Sequence, residues 1–400
     1  MDGRGLRQVF AWQNPFREAA AGRSGEAADR VTVLGANANF PFELQVRAFC
    51  RAAAEGRGSP LVVQFSHNAL KLVGEDSRSA VSGARLAAAV LRHWVEESGA
   101  RFVAVALDHY RVPAYPGARG HGGGPQGPQG SARAVRMARA AVDDALEACR
   151  GVLGTVSDRE LRSYVDYLSS PAYADFKREF GAVVMSLDPA WAMVDTERLP
   201  PVLNCALTRD VIELLRGPLG LGETMVEAEY GATGSAGEAV DYRALRGEEL
   251  ARFAEEVASF VAYTGADGIS YPIGMGHGAR RAERHEPDEE RLGAVQRRIR
   301  EVTGRYVPFA QHGGTGAARL VRGLVGKNNV NTHFLVAAAN RLADRVEADL
   351  ESIRAGVKGA CGTDLYAAAS EAVQKATVEK LREAGTFGAV PELEAFLEGV

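Results

Sequence analysis

The feature that most constrains this chain is a repeated alternation of short apolar runs with longer amphipathic stretches. The apolar runs cover residues 30–37, 60–66, 102–109, 182–188, 224–231, 268–274, 307–312 and 327–332. Each is too short for a typical helix and too apolar for a surface loop, so each reads as a buried parallel strand. The intervening segments, such as "FELQVRAFCRAAAEG", "SAVSGARLAAAVLRHWVEES" and "GEELARFAEEVASFVAYT", carry helical periodicity. Strand and helix alternating eight times predicts an α/β fold of the (β/α)8 TIM-barrel type.

One spacing exceeds what a minimal barrel needs. Between His109 and Ala182 a single crossover helix would suffice, yet the chain carries a Gly/Pro-rich stretch, "PAYPGARGHGGGPQGPQG", and further helical patterns. Residues 110–181 are therefore expected to be an insertion after strand three, a loop plus helices on the catalytic face of a single barrel domain spanning 1–400. The alternative reading of the segment is a linker between two domains. The chain after Gly362 reads as a helical tail.

Bulk properties set the compartment and the partners. A net charge of −4, with basic residues dispersed among acidic ones, gives no nucleic-acid footprint. No apolar run approaches the roughly 20 residues needed to cross a bilayer, and the N-terminal stretch lacks a signal-peptide core. Cys50, Cys149, Cys205 and Cys361 form no CxxC pair and read as free thiols in a reducing cytoplasm.

In a barrel of this kind the active site forms at the C-terminal ends of the strands. Strand one ends at Asn37, strand two at Ser66, strand three at Asp108 and His109, strand four at Asp188 and strand five at Glu229. Strand six runs into "GMGHG" with His277, strand seven into "HGGTG" with His312, and strand eight carries Asn329 and Asn331. Buried ionisable groups are costly unless paired or bound to metal. Three imidazoles from three strands with carboxylates nearby suit a catalytic zinc with an open coordination position. The bland reading, three separately satisfied core histidines, fits one such position better than three together. The Gly-rich turn Gly313–Gly314–Thr315 entering a helix presents backbone N–H groups to an anion, and "NNVNT" at the next strand end would complete a phosphate pocket.

Taken together, "NAN" (37–39), "VVQFS" (62–66), "LDH" (107–109), "SLD" (186–188), "EAEYGATG" (227–234), "IGMGHG" (273–278), "HGGTG" (312–316) and "NNVNT" (328–332) resemble the class II, zinc-dependent fructose-bisphosphate aldolases in order and spacing. The resemblance implies an aldehyde-lyase in carbohydrate metabolism. His109, His277 and His312 would bind zinc, with Glu229 as a further carboxylate at the metal, and the resemblance admits a monovalent cation beside it. Asp108 would handle the acceptor carbonyl and its proton. Gly278, Gly313, Thr315, Asn329, Asn331 and Thr332, with Gly314, would hold the phosphate of dihydroxyacetone phosphate. Asn37 and Ser66 match substrate-contacting positions. The implied chemistry is removal of a C3 proton to give an enediolate, which attacks an aldehyde. The partners implied are a sugar phosphate and an aldehyde, with a homodimer as the assembly.

The sequence also departs from the family's pattern. The proton-transferring glutamate falls in "GSAGEAVDY", making Glu238 the candidate, displaced by one residue. The link between "HGGTG" and "NNVNT" is shortened. The arginine that grips a second phosphate has no counterpart in "GACGTDLYAAAS". Without a guanidinium, bidentate recognition of that phosphate is lost. The expected acceptor is therefore an aldehyde other than glyceraldehyde 3-phosphate. The alternatives are a genuine fructose-1,6-bisphosphate aldolase, a zinc hydrolase on the same fold, and a non-catalytic sugar-phosphate-binding barrel.

Overall fold

A computed structural model describes residues 1–17, 30–39, 42–74, 79–116, 130–149, 151–153, 155–231, 242–276 and 284–399. Eight parallel strands close into a barrel in chain order. They are β1 (Val33–Asn37), β2 (Leu61–Ser66), β3 (Val103–Arg111), β4 (Trp191–Asp195), β5 (Met225–Glu229), β6 (Gly268–Ser270), β7 (Phe309–Gln311) and β8 (Val325–Val330). β8 pairs with β1 through Lys327↔Val33 and Asn329↔Gly35, which closes the ring.

Alternation along each strand sorts side chains between two environments. Leu34, Ala36, Val63, Phe65, Val226 and Ala228 join the apolar layer between strands and helices. The other parity faces the barrel interior. Its lower part is apolar, with Val33, Val62, Ala104, Ala106, Trp191, Met225 and Ala310 packed against Leu6, Val9 and Phe10 of α1 (Gly3–Gln13). Above that plug the interior turns polar, with Gln64, Glu227 and Lys327 fully buried.

The outer layer includes α2 (Phe42–Ala54), α3 (His67–Val73), α4 (Ala80–Ser98), α5 (Ala132–Ala148), α6 (Asp158–Ser169) and α7 (Pro171–Leu187). After β4 come α8 (Pro201–Arg216), α9 (Gly247–Thr264) and α10 (Glu289–Thr303). α11 (Thr332–Ala348), α12 (Leu350–Arg354), α13 (Lys358–Cys361), α14 (Thr363–Ala384) and α15 (Val390–Glu398) complete the chain. α14 packs on α2, α11 and β1, so the expected helical tail takes the last place in the ring. Among the described residues no helix is long and apolar enough to cross a membrane.

Strand four lies elsewhere than expected. Residues 182–188 are the last turns of α7 and Asp188, its C-cap, rather than a strand ending at Asp188. Phe176, Phe180, Val183, Val184 and Leu187 are buried at helical spacing, so "AVVMSL" continues the stripe of one long helix. Ser170 caps that helix, Pro171 occupies its first turn, and Asp188 ends it in the left-handed region at φ 51°. β4 is instead "WAMVD", which puts Asp195 at the strand end.

This shift also resizes the connection. α7 packs between α4 and α8 and serves as the β3–β4 crossover, leaving α5 and α6 as the extra pair. α5 packs against α6 and α8, and Cys149 at its end lies 3.9 Å, sulfur to sulfur, from Cys205 of α8.

Candidate metal centre and phosphate cradle

The C-terminal end of β3 is where the backbone departs from regular geometry. Strict alternation would send His109 to the opposite side from Asp108. Instead His109 has φ 44°, and the β3–β4 register shifts between Leu107 and Tyr110. A β-branched or bulky residue rarely adopts this conformation, and bulges of this kind re-aim side chains beside active sites. Here the turn brings His109 Nε2 to 2.8 Å from His312 Nδ1. Asp108, His109 and His312 each offer a ligand atom, all within 4.8 Å of one another.

Asp108 is buried and accepts through Oδ2 from Asn37 Nδ2 at 2.6 Å. Its Oδ1 is buried with no hydrogen-bond partner among the described residues. A buried carboxylate oxygen with an open lone pair beside two imidazoles fits a divalent cation, since imidazole and carboxylate are the nitrogen and oxygen ligands such ions take. Glu229, fully buried, ends β5, two strands on from Asp108. Its Oε2 accepts from the Thr196 amide at 3.3 Å, and its carbonyl accepts from Asn204 Nδ2 at 2.7 Å. Burial disfavours a charged His109, but the nearby carboxylates of Asp108, Glu229, Asp195 and Glu227 raise its pKa above the ordinary value. Asp195 therefore supplies the strand-four carboxylate expected at Asp188.

Beneath His312 lies a fully buried ion pair. Glu227 Oε1 sits 2.7 Å from His312 Nε2, while its Oε2 accepts from Trp191 Nε1 at 2.6 Å and Lys327 Nζ at 3.0 Å. Burial alone would raise the Glu227 carboxyl, but Lys327 and His312 hold it far below the usual carboxylate range. Lys327 also donates to Gln64 Oε1 at 2.6 Å, and Gln64 donates to Asn37 Oδ1 at 2.7 Å. Asp108 and His312 are thus joined by one chain of hydrogen bonds through the barrel interior. Glu227, Lys327 and Gln64 were not among the candidates from sequence. Their signal is the two-residue period: Glu227 shares a strand face with Glu229, Lys327 with Asn329, and Gln64 with Ser66.

The glycines of "HGGTG" have steric reasons. Gly313 has φ 70°, and a Cβ there would lie 2.5 Å from the Gly276 carbonyl oxygen. A Cβ on Gly314 would lie 2.2 Å from Asn328 Oδ1. Glycine lets the turn after β7 touch both the segment after β6 and strand β8. Thr315 Oγ1 accepts from the His333 amide at 3.2 Å, which ties that turn to the start of α11 and leaves the hydroxyl proton to donate elsewhere. Thr332 opens α11, at the positive end of that helix's dipole, while the Phe334 amide donates to the Asn331 carbonyl at 3.0 Å. Asn329 is buried, with neither side-chain atom hydrogen-bonded among the described residues. Asn331 Oδ1 accepts from Asn39 Nδ2 at 2.6 Å.

Ser66 stands at the mouth beside Asp108 in register, and its hydroxyl caps α3 by accepting from the Ala69 amide at 3.2 Å. His67 stacks on Tyr110 with centroids 4.1 Å apart, and burial pushes its pKa down to about 4. Glu238, His277 and Gly278 lie outside the described residues.

A closed parallel barrel brings imidazoles and carboxylates together at its strand ends, beside a glycine-lined turn, as a candidate metal centre at the end where barrel enzymes place their active sites. Residues 178–389 match the family described as fructose-bisphosphate aldolase class-II, which is more than half of the chain. The chain belongs to the class II fructose-bisphosphate aldolase family and is a lyase of the aldolase class. Among solved structures it is similar to the fructose-bisphosphate aldolase of Campylobacter jejuni, with a TM-score of 0.59 at 16% identity over 97% of this chain and 96% of that one. It is also similar to the YdjI aldolase of Escherichia coli K12, with a TM-score of 0.52 at 16% identity over 90% of this chain and 93% of that one. At these identities the structural likeness speaks to the fold alone.

Proposed function

We propose that the protein joins or cleaves a C–C bond between dihydroxyacetone phosphate, or a similar ketose-phosphate donor, and an aldehyde other than glyceraldehyde 3-phosphate, using one zinc ion. The observation that carries this reading is the Asp108–His109–His312 cluster, within 4.8 Å, at the mouth that also holds the Gly313–Thr315 turn. His109, His312, His277 and Glu229 would hold the metal, with Asp108 beside it. A divalent cation there supplies the positive charge that polarises the donor's carbonyl and acidifies the adjacent C–H.

The chain's own groups divide the remaining tasks. The N–H groups of the Gly313–Thr315 turn and of Thr332, the Thr315 and Thr332 hydroxyls, Gly278, and the amides of Asn329 and Asn331 bind the donor's phosphate. Asn37 and Ser66 line the substrate side. Glu238 removes and returns the donor proton, a role carried by the resemblance. Asp108, held by Asn37 through Oδ2, keeps Oδ1 for the proton of the acceptor oxygen. The acceptor assignment rests on the segment 359–370, which places no arginine at α13 and the start of α14. The same reading takes the protein as a cytoplasmic homodimer, and free thiols at all four cysteines accord with a reducing compartment.

Fructose 1,6-bisphosphate remains the second reading, and one observation favours it. A cavity of about 640 Å³ between α11 and α14 opens beside Thr315 and Thr332 and is lined by Arg284, Arg341 and Lys375. Those cations are opposed there by Asp344, Glu371 and Glu379. The deciding experiment incubates the zinc-loaded protein with dihydroxyacetone phosphate and a panel of neutral, phosphorylated and carboxylated aldehydes, and separately with fructose 1,6-bisphosphate. Condensation with a panel member far exceeding bisphosphate cleavage is expected. Rapid cleavage of the bisphosphate would transfer the assignment to the second reading.

A further inference from the structure

The fully buried charges beneath His312 stand apart from the reacting groups and call for their own account. A buried ion pair is weak evidence for stability, because an apolar pair of similar volume often serves as well or better. Glu227 and Lys327 are both 0% exposed, and Lys327 Nζ also lies 4.8 Å over the Trp191 ring. What distinguishes the pair is the third partner of Glu227, the Nε2 atom of His312 at 2.7 Å.

The donor inventory fixes the protons. An ammonium and an indole N–H can only donate, and both face Glu227 Oε2. A hydrogen on Oε2 would point at one of these donors, and the buried Lys327 ammonium at 3.0 Å favours the ionised carboxylate, which leaves the hydrogen between Oε1 and Nε2 on the imidazole. Glu227 is therefore an acceptor on both oxygens, and His312 carries its hydrogen on Nε2. In a neutral ring the Nδ1 lone pair then points the other way, toward His109 Nε2 at 2.8 Å, where the ligand atoms converge.

We propose that Glu227 and Lys327 are positioning residues for the metal centre: Lys327 holds Glu227, and Glu227 fixes the tautomer and ring plane of His312 so that Nδ1 faces the metal. The inference rests on the metal reading of the site given above. Outer partners of ligating imidazoles commonly act in this way, and their loss weakens metal binding by about 10–100-fold.

The test compares the wild-type protein with Glu227→Gln and with Glu227→Met/Lys327→Met, in which no buried charge is left unpaired. Zinc affinity is measured by competition with a chromogenic chelator. The His312 tautomer is read from long-range ¹H–¹⁵N correlations in metal-free, ¹⁵N-histidine-labelled protein. Expected are an Nε2-protonated His312 in the wild type, and in the double variant a mixed tautomer with zinc affinity lowered at least tenfold. A double variant that melts at a different temperature but keeps both the tautomer and the affinity would make the pair purely structural and overturn the proposal. An Nδ1-protonated His312 in the wild type would overturn it as well. A wild-type protein that binds no zinc or other divalent ion would instead overturn the metal reading on which the proposal stands.

Discussion

Asn37, at the end of β1, donates through Nδ2 to Asp108 Oδ2, at the end of β3, at 2.6 Å. Because Gln64 in turn fixes Asn37, the carboxylate is oriented from two neighbouring strands and presents its other oxygen to the mouth. Replacing Asp108 by Asn keeps the shape and removes the proton acceptor. Turnover is expected to fall by roughly 10²–10⁴, the usual span for a general acid–base group. Zinc affinity should change less than tenfold. A parallel loss of zinc would instead make Asp108 a ligand, which its distance to the two imidazoles also permits.

The Gly313→Ala substitution separates the cradle from the metal. At φ 70°, with the Gly276 oxygen 2.5 Å from the added Cβ, both backbone strain and a displacement of the neighbouring segment are forced. A stability loss of about 1–3 kcal/mol is expected, with KM for the phosphorylated donor raised tenfold or more. Gly99→Ala is the control, since Gly99 has φ 67° and nothing within 4 Å of the added atom. It should lose stability through the left-handed backbone alone and leave KM unchanged. Equal KM values in the two variants would contradict the role given to this turn.

His67 gives a pH dependence of defined sign. The folded chain keeps this imidazole neutral until about pH 4, whereas its ordinary pKa is 6.5. Between those values the unfolded chain binds the extra proton, so stability falls as pH drops from 6.5 toward 4 and is unaffected above 6.5. The shift corresponds to about 3 kcal/mol at most. His67→Phe preserves stacking on Tyr110 and should lose that much less stability across the window. An NMR titration showing the His67 ring protonating near pH 6.5 would refute this.

Much of the mouth was legible in the sequence because barrel strands place their function at one end. The Asp108–His109 and His312–Gly313–Gly314 dipeptide and turn signals survived intact, and the structure brings them together. Strand four was not legible in the same way. "AVVMSLD" is apolar and ends in an aspartate like the true strands, and only the stripe begun at Phe176 shows that it is helical. The five-residue strand that follows, beginning with a tryptophan turned into the barrel, has no contrast with its surroundings. Nor could a sequence reveal that His109 would leave strand alternation, because its φ of 44° is set by the bulge against β4. The Glu227–Lys327 pair was hidden for a different reason. Charges are not expected inside a barrel, and their partners come from strands 100 residues apart in the chain, Glu227 on β5 and Lys327 on β8.

The central claim is a metal-dependent enolising donor half-reaction, and it can be measured without knowing the aldehyde. Purified protein is incubated with dihydroxyacetone phosphate in deuterated water, and loss of the C3 proton signal is followed by NMR. Parallel samples contain a chelator, the chelator followed by excess zinc, or the His312→Ala variant. The account predicts exchange in the untreated sample, none after chelation or in the variant, and recovery when zinc is restored. Exchange that persists at full rate without metal, or its absence when zinc and donor are both bound, would contradict it.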